Sequence, residues 1–478
     1  MNPRQKRARL RSAAALILLF VLVLPKTGHS SAHFAPKYIF IFLADGAGLA
    51  HIEIARLFNS FVHGQGLILS DKIMKEGRLG LLTTHAADAL VTDSGAAATA
   101  LATGCKTNLA TIGMCADGSR PKTVLEAAKE KGMRIGLITT AEVYDASPAA
   151  FAAHAGSRGA VESICEQYLN LEPDILMGGG RDLFVARSRA ESRRNDDKDL
   201  IRSFEAKGYT YIDNKSALER AAGPKILGLF SVNDMSFEID KDKGAEPSLS
   251  DMLAAALRLL AQDLQNGFVL FIENEHVDSA AHLSDLPSLI HELRDFDRAI
   301  GLAYDFYKKY PNETLLLVTS DHEAGGLNLT STARPGASGR VTRVGPTSED
   351  IKKLAAVRIS VRRALALLGP NPTAEAVREL VEQYYAGFTL APEVVQAIVE
   401  KRFPGPTFSI SPTAAALGAM IASNTHAYWS TSSHTGQPVF VAALGPGADT
   451  FGGYQDNTDF AKNLFRLLGH HPTQPDRR

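Results

Sequence analysis

Six short segments that are mostly apolar, without regular alternation of polar residues, most strongly constrain the fold of this chain. They cover Tyr38–Ala44, Arg134–Thr139, Asp174–Met177, Phe268–Ile272, Leu315–Thr319 and Val439–Ala443. Helical patterns lie between them, at Lys122–Lys131, Ser250–Gln265 and Leu286–Tyr310. Strands of this kind are buried on both faces, and their alternation with helices is typical of parallel sheets. The sequence therefore predicts an α/β fold, a three-layer sandwich with a mostly parallel central sheet and helices on both faces.

A helix-rich region interrupts this alternation between the last two strand signals. It begins at Thr347, and Pro370, Pro372 and Pro392 punctuate it. We expect a helical insertion over residues 347–425 that covers part of the domain or forms a contact surface. No long linker of small or proline residues divides the rest of the chain, which predicts one large domain over residues 33–478.

The first 32 residues have the pattern of a secretory signal peptide. Five basic residues lie among the first eleven, the apolar run Ala13–Leu24 follows, and Ser30-Ser31-Ala32 offers a cleavage site. The apolar run is short for a membrane span, but an uncleaved N-terminal anchor stays open as an alternative. We expect an exported protein, periplasmic or extracellular.

The charge balance argues against nucleic acid as a partner. Without residues 1–32 the chain has 45 basic and 52 acidic residues, a net charge of −7, which gives no general affinity for polyanions. The three cysteines, Cys105, Cys115 and Cys165, allow either a local Cys105–Cys115 disulfide or three free thiols. Their spacing does not match a zinc finger.

A run of very small residues, Val91–Gly104, contains a serine near its start. The alanine-rich sequence favours a helix that begins near Thr92, Asp93 and Ser94. Two interpretations are open at this point. Ser94 could cap a tightly packed core helix, or its hydroxyl could face an anion that the free N–H groups of the helix end attract.

Carboxylates follow three of the predicted strands. Asp45, Glu273 and Asp321 lie at or just beyond the strand ends, where ligands bind in open α/β sheets. Three carboxylates at one edge would repel each other unless cations neutralise them. His322 follows Asp321, and the i,i+4 pair Asp278 and His282 could grip one ion, with His434 as a third ligand. Nitrogen and oxygen ligands suit zinc, and all-oxygen ligands suit magnesium. His51, His85 and His291 have no neighbouring metal-type ligands in the sequence, and we expect them to be structural or exposed.

With these motifs the chain resembles the alkaline phosphatase family over most of its length after residue 32. The matching segments, in family order, are Phe42-Leu43-Ala44-Asp45-Gly46, Thr92-Asp93-Ser94, Asp145-Ala146-Ser147-Pro148-Ala149-Ala150 with His154 and Ser157-Arg158, Glu273 with Asp278 and His282, Asp321-His322-Glu323-Ala324-Gly325-Gly326, His434-Thr435-Gly436, and Gly445-Pro446-Gly447-Ala448 with Asp456-Asn457-Thr458. Each segment is modest evidence, but their joint occurrence in this order is specific.

The resemblance implies two Zn²⁺ and one Mg²⁺. The implied ligands are Asp278, His282 and His434 for the first zinc, Asp45, Asp321, His322 and Ser94 for the second, and Asp45, Ser147 and Glu273 for magnesium. Arg158 would clamp phosphate oxygens, Asp93 would orient Arg158, and Asp145 would orient magnesium-bound water. The implied enzyme is a phosphate-monoester hydrolase that acts through a zinc-activated Ser94 and a phosphoserine intermediate on small phosphate monoesters. The resemblance also suggests a homodimer.

Several residues depart from the family pattern. Ser147 replaces the usual threonine and is freer about χ1, and Ser279 follows Asp278 where relatives often carry a larger residue. Glu275 and His276 are also unusual. We expect them to be exposed to solvent, with a contact near the metals as the alternative.

Two other functions remain open from the sequence. A phosphodiesterase of the same superfamily would use a similar metal pair, although Ser147 and Glu273 favour the monoesterase. A secreted phosphate- or metal-binding protein without turnover belongs to another class, and it would have no use for an activated nucleophile. Ser94 and Arg158 therefore favour the hydrolase.

Overall fold

Each long strand of this protein is an apolar run buried on both faces. The computed structural model describes residues 35–335, 341–403 and 411–470. In those ranges the strands are β1 Tyr38–Ala44, β2 Arg78–Leu82, β3 Arg134–Glu142, β4 Ile175–Gly179, β5 Thr210–Ile212, β6 Ile226–Leu229, β7 Phe268–Asn274, β8 Thr314–Thr319, β9 Glu323–Ala324, β10 Asn328–Leu329, β11 Thr332–Pro335, β12 Val341–Val344, β13 Ala427–Tyr428, β14 His434–Thr435, β15 Val439–Leu444 and β16 Gly453–Gln455.

The α-helices surround the strands in chain order. They are α1 Leu49–His63, α2 Met74–Glu76, α3 Ser94–Thr103, α4 Val124–Glu130, α5 Ala146–Ala152, α6 Val161–Leu171, α7 Leu200–Ala206, α8 Lys215–Arg220, α9 Leu249–Leu260, α10 His276–His282, α11 Leu286–Lys309, α12 Ser348–Lys352, α13 Val361–Leu368, α14 Ala374–Tyr384, α15 Pro392–Val399, α16 Pro412–Thr425 and α17 Asn457–Leu467. One π-helical turn, Leu69–Ile73, and three 3₁₀ turns, Arg181–Leu183, Lys353–Ala356 and Ala448–Phe451, complete the described helices.

Ten strands form the central sheet in the order β16-β2-β15-β8-β1-β7-β3-β4-β6-β5. All neighbouring pairs are parallel except those that involve β15, which runs antiparallel to β8 and to β2. The six predicted strands are β1, β3, β4, β7, β8 and β15, so the prediction of a mostly parallel sheet is confirmed. Sequence patterns missed β2, β5, β6 and β16, which have three to five residues each.

The core lies on both sides of this sheet, as the three-layer prediction requires. Phe40 and Phe42 of β1 belong to one apolar cluster, which α9 and α11 complete. Ile39 and Ile41 alternate with them along the strand and belong to a second cluster, to which α4 and α17 contribute. Because strand side chains alternate between faces, one wholly apolar strand joins both clusters.

The predicted helix-rich region contains α12 to α16, although residues 404–410 lie outside the described ranges. Its extent as an insertion stays a prediction. The structure joins Cys105 to Cys115 in a disulfide and leaves Cys165 free and buried. Among the helices described, none is both long and apolar enough to cross a membrane. The predicted signal segment, residues 1–32, lies outside the described residues.

The paired rings of Phe271 and Phe151 test the importance of the second cluster. Phe271 on β7 is fully buried, and its ring centroid lies 4.4 Å from that of Phe151 on α5. We expect Phe271→Ala to lower the free energy of unfolding by about 3–5 kcal/mol, because it removes a buried ring and leaves a cavity. Unfolding by heat and by denaturant measures the loss. Tyr454→Ala is the control, since Tyr454 is 67% exposed on β16; an equal loss in both variants would contradict the prediction.

Candidate active site and metal centre

Three adjacent central strands deliver carboxylates to one edge of the sheet. Asp45 follows β1 directly, Glu273 is the penultimate residue of β7, and Asp321 lies two residues beyond β8. The register aligns Leu43 of β1 with Glu273 on one side and with Thr319 on the other. All three carboxylates are at least 99% buried. The apolar strands thus fix three acidic side chains in a space with little water.

One ring nitrogen of His322 faces three oxygens. Its Nε2 lies 3.2 Å from Ser94 Oγ, 3.2 Å from Asp321 Oδ2 and 3.3 Å from Asp45 Oδ1. A catalytic relay would use both ring nitrogens, one toward the carboxylate and one toward the hydroxyl. Here Nδ1 has no hydrogen-bond partner among the described residues. The arrangement is therefore that of donor atoms converging on a cation and not that of a charge-relay triad.

A second group of donors adjoins the first. Nε2 of His282 lies 2.8 Å from Asp278 Oδ2, and Nε2 of His434 lies 3.3 Å from Nε2 of His282 and 3.7 Å from Asp278 Oδ1. Nδ1 of His282 donates to the carbonyl of Ser432 at 2.6 Å, and Nδ1 of His434 donates to the carbonyl of Thr92 at 2.9 Å. Because a carbonyl only accepts, both rings keep Nε2 available as a ligand.

The third group consists of oxygen donors only. Ser147 Oγ donates to Asp45 Oδ2 at 3.3 Å, while Oδ1 of the same carboxylate faces His322. Thr139 Oγ1 donates to Glu273 Oε2 at 2.6 Å, and Oε1 of Glu273 has no partner among the described residues. Asp45 therefore stands between a nitrogen-containing group and an all-oxygen group, as a bridging ligand would.

The charges of these groups favour bound cations. Burial and the charges of Asp321 and Asp278 raise the pKa of Asp45 well above its usual range. Burial and the charge of Asp145 raise the pKa of Glu273 to about 8. Burial opposes ionisation of Asp278, but the adjacent His282 and His434 hold its pKa well below its usual range. Crowded acids of this kind ionise fully only when positive charge is supplied.

The donor atoms themselves fit metal ions. In the described part of the chain, Asp45 Oδ1, Asp278 Oδ1 and Asp321 Oδ2 are buried without a hydrogen-bond partner. Asp45, Asp321 and His322 have ligand atoms within 4.8 Å of one another, and so have Asp278, His322 and His434. His322 belongs to both sets, which places the two groups side by side. Mixed nitrogen and oxygen donors suit zinc, and the group of Asp45, Ser147 and Glu273 suits magnesium.

Asp93, and not Ser94, caps helix α3. Asp93 Oδ1 accepts the backbone N–H groups of Ala96 and Ala110, each at 3.0 Å. Every residue of α3 is buried. Because Asp93 is the cap, Ser94 is the first residue of the helix, and its hydroxyl faces His322 instead of capping the helix.

A close approach at the end of β1 requires a glycine. Gly46 has φ +72°, and a Cβ at this position would collide with Asp278.

Arg158 lies between two carboxylates. It donates to Asp93 Oδ2 at 3.3 Å and to Asp145 Oδ1 at 2.9 Å, and its backbone N–H donates to the carbonyl of Ala110. Its side chain is 35% exposed. The guanidinium is thus fixed in direction but accessible, which suits recognition of an anion that enters from solvent.

The structure brings the predicted site residues into one region at the sheet edge. Their predicted roles stay proposals. Two expectations need revision: His276 is fully buried and the side chain of Glu275 is only 14% exposed, so the prediction of solvent exposure is wrong. The sequence did not identify Thr139 or the carbonyls of Thr92 and Ser432. No local sequence pattern predicts that a hydroxyl or a backbone oxygen will contact a site residue far away in the chain.

Comparisons with known proteins agree with this geometry. The family model described as alkaline phosphatase matches residues 36–470. Alkaline phosphatase 3 of Bacillus subtilis (strain 168) is 32% identical over 440 residues, which cover 90% of this chain and 89% of the relative. The crystal structure of Thermus thermophilus alkaline phosphatase has a TM-score of 0.82 at 29% identity and covers 95% of this chain and 97% of that one. A cold-active alkaline phosphatase from Shewanella sp. has a TM-score of 0.74 at 30% identity, with 90% and 99% covered.

Removal of metal should make stability depend on pH. In the metal-free chain the folded-state pKa values of Glu273 and Asp321 are raised to about 8 and about 6. Acids with raised folded pKa values favour the folded state at low pH, and this contribution is lost as pH rises through those values. We therefore expect the melting temperature of chelator-treated protein to fall between about pH 5 and about pH 8. Calorimetry across this range measures it.

The same scan with zinc and magnesium present is the control. Bound cations keep the carboxylates ionised at every pH in this range, so the decline should be absent. An identical pH slope with and without chelator would show that these carboxylates do not hold metal.

Proposed function

The chain belongs to the alkaline phosphatase family and is a phosphate-monoester hydrolase, and from this premise we propose that Ser94 is its nucleophile, within a centre for two Zn²⁺ and one Mg²⁺. The observation that carries the proposal is the approach of Ser94 Oγ, Asp321 and Asp45 to the same nitrogen of His322. A serine hydroxyl is a poor nucleophile at its ordinary pKa, and a site of this kind would activate it.

The proposed ligands follow the three groups of donors. Asp278, His282 and His434 would hold the first zinc, Asp45, Asp321, His322 and Ser94 the second, and Asp45, Ser147 and Glu273 magnesium. When bound, these ions supply the positive charge that stabilises the serine alkoxide and the departing oxygen. Ser147 fits the place of the usual family threonine, since its hydroxyl contacts Asp45 at 3.3 Å.

Ser94 carries the phosphoryl group between two displacements. Its Oγ loses its proton and forms a bond to phosphorus while the bond from phosphorus to the ester oxygen breaks, and the released alkoxide takes up a proton to leave as the alcohol. Water then attacks the phosphoserine, the bond from phosphorus to Oγ breaks, Oγ takes up the proton that water gives up, and inorganic phosphate leaves. Asp93 holds the backbone around Ser94 still through both steps, because it caps α3 and also accepts from Ala110.

Arg158 would bind two non-bridging oxygens of the phosphoryl group. The planar guanidinium matches two phosphate oxygens at once. Asp93 and Asp145 fix its plane by accepting from its two terminal nitrogens. The expectation that Asp145 orients magnesium-bound water is retained, and the contact with Arg158 adds a second task for this residue.

Export remains part of the proposal. The predicted signal peptide of residues 1–32 and the Cys105–Cys115 disulfide support a periplasmic or extracellular location, since such bonds persist in oxidising compartments. The mature domain would cover residues 33–478, with residues 347–425 as a helical insertion. Small phosphate monoesters are the proposed substrates, and a homodimer is the proposed assembly.

Replacement of the nucleophile tests the mechanism. We expect Ser94→Ala to lower kcat for a chromogenic phosphate monoester by roughly 10³-fold or more, because the variant lacks the hydroxyl that forms the proposed covalent intermediate. Ser216→Ala on α8 is the matched control, since Ser216 is exposed. Acid quenching during turnover, followed by mass analysis of the peptide that contains residue 94, should show one phosphoryl group on the wild type alone.

The same assay separates the alternatives. A preference for the matching diester, lost with Ser94, would assign the chain to the phosphodiesterase branch. Bound zinc with no turnover of either ester would favour a binding protein. Full activity of Ser94→Ala would contradict the proposed nucleophile.

The bidentate role of Arg158 predicts a defect in phosphate binding. We expect Arg158→Lys to raise the KM for the monoester and the inhibition constant of inorganic phosphate about tenfold each. Lysine offers a point charge in place of a planar guanidinium, so it binds phosphate oxygens less tightly. Steady-state kinetics with added phosphate measures both constants. Arg202→Lys is the control, because the side chain of Arg202 on α7 is exposed, and it should change neither the KM nor the inhibition constant. Unchanged phosphate inhibition in Arg158→Lys would show that Arg158 does not bind the phosphoryl group.

A further inference from the structure

A buried histidine outside the proposed metal centre has no hydrogen-bond partner. His276, the first residue of α10, is 0% exposed, and neither Nδ1 nor Nε2 has a partner among the described residues. A neutral imidazole has one donor and one acceptor to satisfy, and leaving both unpaired in the interior is costly.

Two carboxylates face this ring from different parts of the chain. Glu275 Oε2 lies 4.0 Å from His276 Nε2 and is itself buried without a partner. Asp234, from the loop that precedes α9, completes a set in which ligand atoms of Asp234, Glu275 and His276 all lie within 4.8 Å of one another. One nitrogen and two carboxylates thus face a common space.

The surrounding contacts hold each member in place. Ser279 Oγ donates to Glu275 Oε1 at 2.8 Å, which leaves Oε2 directed at the histidine. The neighbours of Asp234 are tied down, since Gly180 N–H donates to the carbonyl of Asn233 and Met235 N–H donates to that of Thr140. Such a prepared arrangement lowers the cost of organising a binding site.

A further carboxylate lies behind the ring. His276 Nδ1 is 3.9 Å from Glu292 Oε1, and Glu292 accepts from the backbone N–H of Glu238 at 2.6 Å and from Asn274 Nδ2 at 3.0 Å. A histidine that binds metal through one nitrogen commonly directs the other toward a carboxylate, which fixes its tautomer. Glu292 stands where that carboxylate is needed.

We propose that Asp234, Glu275 and His276 form a separate binding site for a divalent first-row transition metal ion such as Zn²⁺. Imidazole with carboxylates favours zinc or its neighbours over calcium and magnesium, which prefer oxygen alone. Ligand atoms about a tetrahedral zinc lie roughly 3.3 Å apart, so the present spacing needs only small side-chain rotations. The Asp234 side chain is 35% exposed, which gives the ion a path from solvent.

A nearby cation does not replace the metal. Arg362 approaches Asp234 Oδ2 at 3.9 Å and lies over the ring of Phe237. It makes no hydrogen bond with Glu275 or His276, since Glu275 Oε2 and both ring nitrogens of His276 have no partner among the described residues. The ion would tie the 231–236 loop to the start of α10, the helix that carries Asp278 and His282.

Anomalous diffraction tests the site without any substitution. Crystals of the full mature protein grown with Zn²⁺ are measured at the zinc absorption edge. We expect a peak within about 2.1 Å of His276 Nε2, in addition to peaks at the group of Asp45, Asp321 and His322. Peaks at that group but not beside His276 would overturn the proposal.

Zinc counting in variants tests it in solution. After equilibration at a fixed free Zn²⁺ concentration, mass spectrometry should find one equivalent fewer per chain in Asp234→Asn and in His276→Gln than in the wild type. Asp305→Asn is the matched control, because Asp305 is 64% exposed on α11 and should keep the wild-type count. Asp234→Asn keeps the test valid if His276→Gln fails to fold. An equal count in wild type and Asp234→Asn would overturn the proposal and leave the Ser94 chemistry untouched, since ester hydrolysis is not measured.

Discussion

The burial of several carboxylates at one edge of the central sheet is the constraint on which the rest of the structure depends. Taking an unpaired carboxylate out of water costs several kcal/mol even after relaxation. β1, β7 and β8 place Asp45, Glu273 and Asp321 there with almost no access to solvent. The cost is offset when cations bind between them, so the apolar core and the proposed metal centre stabilise one arrangement together. The core holds the acids in register, and the ions keep them charged.

Helix α3 meets this edge through residues that are almost all small. Its complete burial brings Ser94 close to His322 without a bulky neighbour in between. Asp93 performs two tasks, since one carboxylate oxygen caps the helix and the other accepts from Arg158. A change in the helix start would therefore move the serine and the guanidinium together. Asp93 therefore fixes the directions of both Ser94 and Arg158.

The sequence predicted the long strands closely and the short ones not at all. β1 was predicted to the residue, because seven apolar residues between turn signals admit few alternatives. β2 was missed because two of its five residues are exposed and Gly80 breaks its apolar run. A Cβ at Gly80 would lie 2.2 Å from the carbonyl of Phe451, so the glycine serves a close approach that only the fold reveals. The ligand types were identifiable from the sequence, whereas the carbonyls of Thr92 and Ser432, which orient the histidines, were not.

The burial of His276 shows that residues far away in the sequence can override the local expectation of solvent exposure. Glu275 and His276 are polar and lie beside a metal-type motif, which favoured exposure. The 231–236 loop, however, forms hydrogen bonds with Thr140 and Gly180, and its Asp234 lies beside both residues. On a helix of 3.6 residues per turn, positions two apart lie roughly 200° apart around the axis. His276 and Asp278 therefore face different sides of α10. One short helix can thus serve two groups of acids, although burial first, and then the charges of Asp234, Asp145 and Asp278, raise the pKa of Glu275. An ion beside His276 would lower that repulsion at the helix start, and so stabilise the segment that positions Asp278 and His282.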